Sequence, residues 1–479
     1  MHMKTMLVLN AILVGLLVLV VAQPVAAQNQ DESADRVRKL EEMVRRLAER
    51  VADLEARLDQ QARPPVAQEM PEVREGGIEA RVAKLEERAN KHPNPMQIYW
   101  KDGIRIDSDN GLFKLKIGGR IQLDGAIMDA DNNLERRGIG DLEDSLEFRR
   151  ARIYLQGDIY EDYFFRVEYD FAGGDADFKD VYMGMRNLPY VGNIKVGHFK
   201  EPFGLEELTS SNYITFMERS TGTEAFVPSR NTGLMLYNTA FDKRMTWAAG
   251  VFMDTGDFGD GEFNDGFNYT ARLTGLPWYE EDGRKLLHLG VAYSHKNFEG
   301  DRRVGDHFGR FRARPEAHLA PHFVDTRGFF LESANLLGAE AAWVHGPFSL
   351  QGEYIHVFAN GLDGFRSSNP DFNAFYTQAS YFLTGEHRKY KQTSGTFTRV
   401  KPLKNFRDDG GWGAWEVAAR YSYIDLDRAR INGDRLDDFT LGLNWYLNPN
   451  MRVMFNYVFA DSEDRGDANI FQMRFQVDF

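Results

Sequence analysis

The chain has no cysteine among its 479 residues. It can therefore form no disulfide framework, no thiolate metal site and no lipidated N-terminal cysteine. After about the first thirty residues it also lacks an apolar run long enough for a membrane-spanning helix, which excludes a helical membrane protein. It has no basic domain either: the net charge is −14 and the acidic residues are spread along the chain. Nothing in this distribution of charge suggests nucleic-acid binding, and we predict no nucleic-acid partner.

The end of the chain alternates strictly between apolar and polar residues. The apolar positions are Phe471, Met473, Phe475, Val477 and Phe479, and the polar positions between them are Gln472, Arg474, Gln476 and Asp478. A period of two is typical of a strand with one apolar and one polar face. Soluble chains usually fray at the terminus, whereas the last strand of a transmembrane barrel closes the cylinder and can end in the interfacial aromatic girdle.

The same alternation recurs about sixteen times from Leu112 onward, in segments of about ten residues. That length suits a tilted strand crossing a bilayer. Tight connections such as 448–450 alternate with longer polar ones such as 254–266, 297–335 and 461–467. We therefore predict an all-β transmembrane barrel of about 16 antiparallel strands over residues 102–479.

The residues before the barrel carry three other patterns. Lys4, the apolar run 6–22 and the small residues 25–27 predict a signal peptide over 1–27, cleaved before Gln28; an uncleaved anchor is the weaker alternative. Residues 28–62 carry a heptad with Val and Leu at its seam, which predicts a coiled coil that self-associates and leans toward dimers. A lone helix packed on the barrel is the alternative. Residues 63–101 are a predicted linker with a short second coiled-coil segment.

Two connections between predicted strands are unusual. Residues 200–230 contain Leu205, Ile214, Phe216 and Met217, too many apolar groups for a loop in water. We therefore predict that this loop, the third, folds into the lumen and narrows it. Residues 384–411 are rich in Lys and Arg, and strand parity places them at the periplasmic end.

Eight short motifs occur in order along the predicted barrel. They are FKLKIGGR at 113–120, FRRA at 148–151, NIKVGHF at 193–199, FGLE at 203–206, TSS at 209–211, ER at 218–219, LTGE at 383–386 and GAWE at 413–416. In this combination they resemble the phosphate- and polyphosphate-selective porins, porin O and P, of Gram-negative outer membranes. The resemblance implies a sixteen-stranded barrel, usually a homotrimer, with an anion-binding constriction under the infolded loop. The coiled coil resembles the family's variant N-terminal extension and would be periplasmic.

Candidate anion-binding residues fall into three groups, because an oxyanion path needs a row of moderate positive sites. The constriction candidates are Arg120, Arg149, Arg150 and Arg219. The vestibule candidates, which resemble the family's arginine ladder, are Arg310, Arg312 and Arg314; a solvated loop with chance spacing is the alternative. The periplasmic basic cluster is Lys114, Lys116, Lys389, Lys391 and Lys401; a positive surface patch is its alternative.

The alternation of inward and outward side chains along a strand leaves the direction of one constriction candidate, Arg149, undecided. Alternation directs Arg150 inward and Arg149 to the outer side, unless a β-bulge turns Arg149 inward or it sits above the hydrocarbon. The chain also departs from the family's pattern, because Glu207 and Asn212 stand where phosphate-specific members have lysines. Anion preference is therefore expected to persist through the arginines, with weak phosphate specificity.

The alternative functions have less support. The strand histidines, such as His288 and His356, have no Ser or Asp tied to them by a catalytic motif, and Pro315 and Pro321 disfavour the helix that a His318–His322 metal pair would need. We predict no enzyme activity, no cofactor and no metal. The predicted function is an anion-preferring, water-filled outer-membrane porin whose partners are membrane lipid and permeant anions such as phosphate. A general-diffusion porin and a tether or adhesin that uses the coiled coil stay open.

Overall fold

The computed structural model describes residues 95–131, 134, 142–261, 266–298, 308–361, 369–428 and 431–479. The predicted signal peptide, the coiled coil and most of the linker lie outside the described residues. Within the described part, no helix is long and apolar enough to cross a bilayer.

The described part contains two single-turn 3₁₀ helices, Glu281–Gly283 and Asp408–Gly410. Its main elements are 23 strands and two short α-helices. In chain order they are β1 (Met96–Trp100), β2 (Ile104–Ser108), β3 (Phe113–Ala130), β4 (Ser145–Ile159), β5 (Tyr163–Asp170), β6 (Asp177–Leu188), β7 (Gly192–Lys200), α1 (Leu205–Leu208), α2 (Thr221–Phe226), β8 (Arg230–Ala240), β9 (Met245–Met253), β10 (Asn268–Glu280), β11 (Lys285–Asn297), β12 (Phe308–Gly309), β13 (Arg312–Ala313), β14 (Val324–Asp325), β15 (Phe329–His345), β16 (Phe348–Gly361), β17 (Asp371–Phe382), β18 (Lys389–Lys391), β19 (Thr396–Thr398), β20 (Ala414–Arg428), β21 (Ile431–Asn448), β22 (Met451–Ser462) and β23 (Gly466–Asp478).

Sixteen of the described strands close into one antiparallel barrel, which confirms the predicted fold. They are β3–β11, β15–β17 and β20–β23. The last strand, β23, pairs with the first, β3, with Asp478 opposite Arg120 and Ala468 opposite Ala130. No strand of the barrel is therefore left with an open edge, as a bilayer requires.

The barrel wall is apolar outside and polar inside. On β23, Phe471 and Phe475 are exposed on the outer surface, whereas Arg474 between them is fully buried in the lumen. On β3, Ile121 and Ile127 are exposed while Asp124 is buried. This distribution is the reverse of that in a soluble protein and is the one that hydrocarbon imposes on a strand with a polar lumen.

The two ends of the barrel differ in their connections. At one end, called the short-turn end, strands are joined by turns such as 241–244, 346–347 and 449–450. At the other, the long-loop end, connections such as 254–267 and 298–328 are longer. The predicted long connection 461–467 is wrong: Asp461 pairs with Asp467, so only three residues lie between β22 and β23. At their long-loop ends both strands have polar residues, such as Asp461 and Asp467, at the outward positions that are apolar elsewhere. The apolar–polar alternation that predicts a strand is therefore missing there.

A hairpin, β1–β2, precedes the barrel. Trp100 lies opposite Ile104, and Ile104 in turn lies opposite Ile117 of β3. The hairpin therefore extends the barrel sheet at the short-turn end and includes residues 96–101, which the sequence analysis assigned to the linker.

Three connections fold into the lumen: 201–229, 309–328 and 383–413. The predicted infolding of the third loop is confirmed, because Leu205, Ile214, Phe216 and Met217 are all buried. A cluster of aromatic side chains, including Phe226, holds loops 201–229 and 309–328 together against β17. These loops occupy one side of the lumen and leave the β4–β9 side open.

Candidate functional site

The open side of the lumen is a basic cavity of about 1480 Å³, called the lower cavity. Its lining contains eighteen Lys or Arg side chains and five Asp or Glu side chains. The chain as a whole has the opposite balance, with a net charge of −14. Positive charge is therefore concentrated on the surface that a permeating solute would contact.

A second cavity of about 190 Å³, the upper cavity, lies between loops 201–229 and 309–328. Four residues line both cavities: Arg149, Glu207, Arg219 and Ser229. We call these four the constriction residues, or together the constriction, because they line both spaces. The upper cavity is balanced in charge between arginine and glutamate: it is lined by Arg149, Arg219 and Arg314 and by Glu207, Glu218 and Glu224.

A β-bulge directs Arg149 into the lumen. Gln122 lies opposite Arg150 and the next residue, Leu123, lies opposite Phe148, so Arg149 is an extra residue in β4. Its guanidinium donates two hydrogen bonds to Glu218, at 3.0 and 3.1 Å. Of the arrangements that the sequence left open for Arg149, the structure has the bulge, and both members of the arginine pair line the lower cavity.

The other constriction candidates are held by specific partners. Arg120 is buried and donates to Ser211 at 2.8 Å and to Glu168 at 3.2 Å. Arg219 pairs with Glu207 at 2.8 Å and donates to backbone carbonyls of its own loop. Arg120 lines only the lower cavity, below the loop, whereas Arg219 belongs to the constriction.

The two departures from the family pattern have different surroundings. Glu207 pairs with both Arg219 and Lys200, each at 2.8 Å. Burial alone would raise the pKa of Glu207, but the charges of Arg219 and Lys200 hold that pKa below its usual value, so the carboxylate is ionised. Asn212 is buried at the lower cavity, and its side-chain oxygen has no hydrogen-bond donor among the described residues.

The vestibule arginines are only partly brought to the site. Phe311 and Ala313 are buried between them, so Arg310, Arg312 and Arg314 share the opposite side of the segment. Arg314 pairs with Glu224 at 2.7 Å and lines the upper cavity. Arg310 pairs with Asp325, and neither Arg310 nor Arg312 lines either of these two cavities.

Four of the five predicted periplasmic lysines line the lower cavity: Lys116, Lys389, Lys391 and Lys401. Lys114 is exposed and lies outside that lining. The lysines of connection 383–413 reach the cavity because this connection folds into the lumen. Arg272 donates to the carbonyl of Gly395 at 2.9 Å, and the Phe397 amide donates to Thr209 of the third loop at 3.4 Å.

Sequence reasoning missed the basic side chains of the β5–β9 wall. Arg166, Lys195 and Arg230 all line the lower cavity, and parity within their own short strands would have placed them inward. It also missed the arginines that hold the loops. Arg420 pairs with Glu206 at 3.0 Å and with Glu316 at 2.5 Å, so one buried guanidinium connects β20 to two infolded loops.

Replacing Arg420 by Met is expected to lower the free energy of unfolding by about 3–5 kcal/mol, because two buried carboxylates would lose their shared cation. Thermal unfolding of the detergent-solubilised barrel measures this change. Lys285→Met is the control, since Lys285 pairs with the exposed Glu281 and its loss should leave the stability nearly unchanged. Equal effects of the two substitutions would contradict the anchoring role of Arg420.

The described histidines do not form a metal centre. In the ranges that the structure describes, no three His, Asp or Glu side chains gather in a geometry that could hold a metal ion. His318 contacts Glu147 at 2.7 Å. Burial, with the nearby charges of Arg314 and Arg312, lowers the pKa of His322 to about 4, so this side chain is neutral near pH 7.

Comparison with known proteins identifies the barrel. The model of the family described as phosphate-selective porin O and P matches residues 115–479. The chain belongs to this family. Porin O of Pseudomonas aeruginosa is 28% identical to this porin over 414 residues, which cover 78% of this chain and 91% of the relative. A protein of Caulobacter vibrioides is 30% identical over 402 residues, covering 80% and 78%.

Two solved structures were also found similar to this porin. OmpF of Salmonella typhi is 15% identical with a TM-score of 0.49, covering 79% of this chain and 100% of OmpF. The outer-membrane channel DcaP of Acinetobacter baumannii is 14% identical with a TM-score of 0.46, covering 78% and 99%. The family, together with the sixteen-stranded barrel, makes this chain an outer-membrane porin. The resemblance in the eight sequence motifs is thereby confirmed.

Proposed function

We propose that this porin forms an anion-preferring, water-filled diffusion channel that admits inorganic phosphate among other anions. The observation that carries the proposal is the lining of the lower cavity, with eighteen basic and five acidic side chains in an acidic protein. In a narrow and poorly screened space, fixed charges of one sign raise the local concentration of the opposite ion.

The proposed path is a series of moderate sites. An anion would pass Arg314 in the upper cavity, then the constriction with Arg149 and Arg219, and then Arg150 and Arg120 below it. The lysines of connection 383–413 and Lys116 would receive it at the short-turn end. Most of these bases also contact protein groups, so no single site is deep enough to trap the ion, which conduction requires.

Weak phosphate specificity is the second part of the proposal. Glu207 forms ion pairs with Lys200 and Arg219, the cations that a phosphate would otherwise approach. The upper cavity, with three arginines and three glutamates, has no excess of positive charge. Both observations favour a broad anion channel over a phosphate-specific one and keep a general-diffusion porin as the second candidate.

Recordings from planar bilayers test both parts. Under a KCl gradient we expect a reversal potential on the anion side, that is, with the sign of a channel more permeable to chloride than to potassium. Added phosphate should reduce the chloride current only at millimolar concentration. A reversal potential on the cation side would refute the anion preference. A block by micromolar phosphate would refute the weak specificity.

We further propose a homotrimer whose barrel contacts dominate over the predicted periplasmic coiled coil. Family membership supports it, as do the highly exposed apolar side chains Leu146, Phe148 and Met183 on strands β4 and β6, which flank β5. After removal of the signal peptide, deletion of residues 28–95 should leave a trimer in native mass spectrometry. This deletion ends one residue before the β1–β2 hairpin. A monomer would show instead that the N-terminal segment determines the oligomeric state.

A further inference from the structure

One part of the lower cavity combines aromatic and basic side chains. It lies on the wall formed by β5–β8, and we call it the aromatic recess: Phe164, Tyr182, Lys195 and Tyr237. Gly184 lies opposite Phe164, and a Cβ on Gly184 would come within 2.3 Å of the Phe164 ring, so the ring packs directly on the glycine.

Lys195 is held by rings rather than by a carboxylate. Its amine lies 4.1 Å from the centre of the Phe199 ring, 4.8 Å from that of Tyr182 and 5.8 Å from that of Tyr237. Cation–π contacts of this kind stabilise an ammonium without neutralising it. The amine is therefore not committed to a carboxylate and can donate to a ligand.

Neighbouring bases on this wall are already paired with acids. Arg230 pairs with Asp180 at 2.8 Å, and Arg186 pairs with Asp158 at 2.7 Å. Among the described bases that line the lower cavity from the barrel strands, only Lys195 and Lys116 have no carboxylate within ion-pair distance. Lys195 differs from Lys116 in having several aromatic groups around it.

Two further donors face the same space. Tyr182 and Tyr237 are half-buried and line the cavity, and within the described ranges neither hydroxyl donates a hydrogen bond to the protein. An ammonium and two phenol hydroxyls can together bind an oxyanion, because all three are hydrogen-bond donors. The ring of Tyr237 offers apolar surface beside them, whereas the Phe164 ring is buried and has the Arg186 guanidinium 4.6 Å from its centre.

We infer that the aromatic recess binds phosphate monoesters that carry an aromatic group, with the phosphate on Lys195 and the tyrosine hydroxyls and the aromatic group against the Tyr237 ring. The inference rests on the proposed anion preference and adds a substrate class to it. Inorganic phosphate would use the polar half of the recess only. An aryl phosphate would also bury one ring face, which strengthens binding by about tenfold over an alkyl ester.

The experiment compares phenyl phosphate with methyl phosphate as blockers of the chloride current through the full-length porin in planar bilayers. For the wild type, the half-blocking concentration of phenyl phosphate should be about tenfold lower. Tyr237→Ala should remove this difference, because it deletes the ring. Tyr237→Phe should keep the difference but weaken the block by both esters to a similar extent, because it deletes only the hydroxyl that donates to the phosphate. Lys195→Met should weaken the block by both esters. Lys391→Met is the control: it also removes one positive charge, but on the infolded connection 383–413, and it should preserve the tenfold difference between the esters.

Equal block of the wild type by the two esters would overturn the inference, as would a phenyl preference that survives Tyr237→Ala. The same membranes report the reversal potential in a KCl gradient. An anion-side reversal potential with no phenyl preference would overturn the recess alone, whereas a cation-side potential would overturn the proposed function itself.

Discussion

Replacing Arg149 by Glu should move the reversal potential in a KCl gradient away from the anion side and towards the cation side. Arg149 lies in the constriction, and the substitution changes its charge by two. At contact distance, the interaction energy between one unit charge and a passing ion is about 1–4 kcal/mol in a surface-like dielectric. The ratio of chloride to potassium permeability should therefore fall at least about tenfold, since 1.4 kcal/mol corresponds to a factor of ten.

Two companion variants make the Arg149 result specific. Arg150→Glu should act in the same direction but less strongly, because Arg150 lines the lower cavity and not the upper one. Lys114→Glu makes the same charge change on an exposed side chain outside the lining and should leave the potential nearly unchanged. If Lys114→Glu shifted the potential as far as Arg149→Glu, the constriction would not control selectivity.

Replacing Glu207 by Lys is expected to deepen the block of chloride current by phosphate. The carboxylate now neutralises Lys200 and Arg219, so the substitution both frees these cations and adds a third. Removing one carboxylate at contact distance contributes about 1–4 kcal/mol to the binding of an anion there. The half-blocking concentration of phosphate should fall at least about tenfold.

Glu207→Gln separates the two causes. It removes the competing charge without adding a lysine, so it should give a smaller decrease in the half-blocking concentration. Glu281→Lys, on a turn at the rim where Glu281 pairs with Lys285, is the control for net charge and should have little effect. An unchanged phosphate block in Glu207→Lys would mean that phosphate does not approach Lys200 and Arg219.

The barrel itself could be predicted from the sequence because its cause is local. Hydrocarbon outside and water inside impose a period of two on every spanning strand, and the strand β23 shows it without interruption from Phe471 to Val477. The infolding of loop 201–229 also followed from composition, since exposed loops do not carry so many apolar residues. The family followed from the order of the eight motifs.

Two residues on a regular part of β3 follow the same rule. Lys116 and Arg120 point into the lumen as parity predicts. The rule failed where the pairing of strands is irregular. The direction of Arg149 depends on the register between β3 and β4, and a bulge has no signature in one strand read alone.

The sequence by itself therefore determined the architecture, the apolar and polar faces of the barrel and the family. Only the tertiary structure decided which charges remain available in the lumen. Glu207 is neutralised by Lys200 and Arg219, Arg420 is committed to Glu206 and Glu316, and Lys195 is left to aromatic rings. The physical reason is that a charge acts through its neighbours in space, and here most of those neighbours come from other strands and loops.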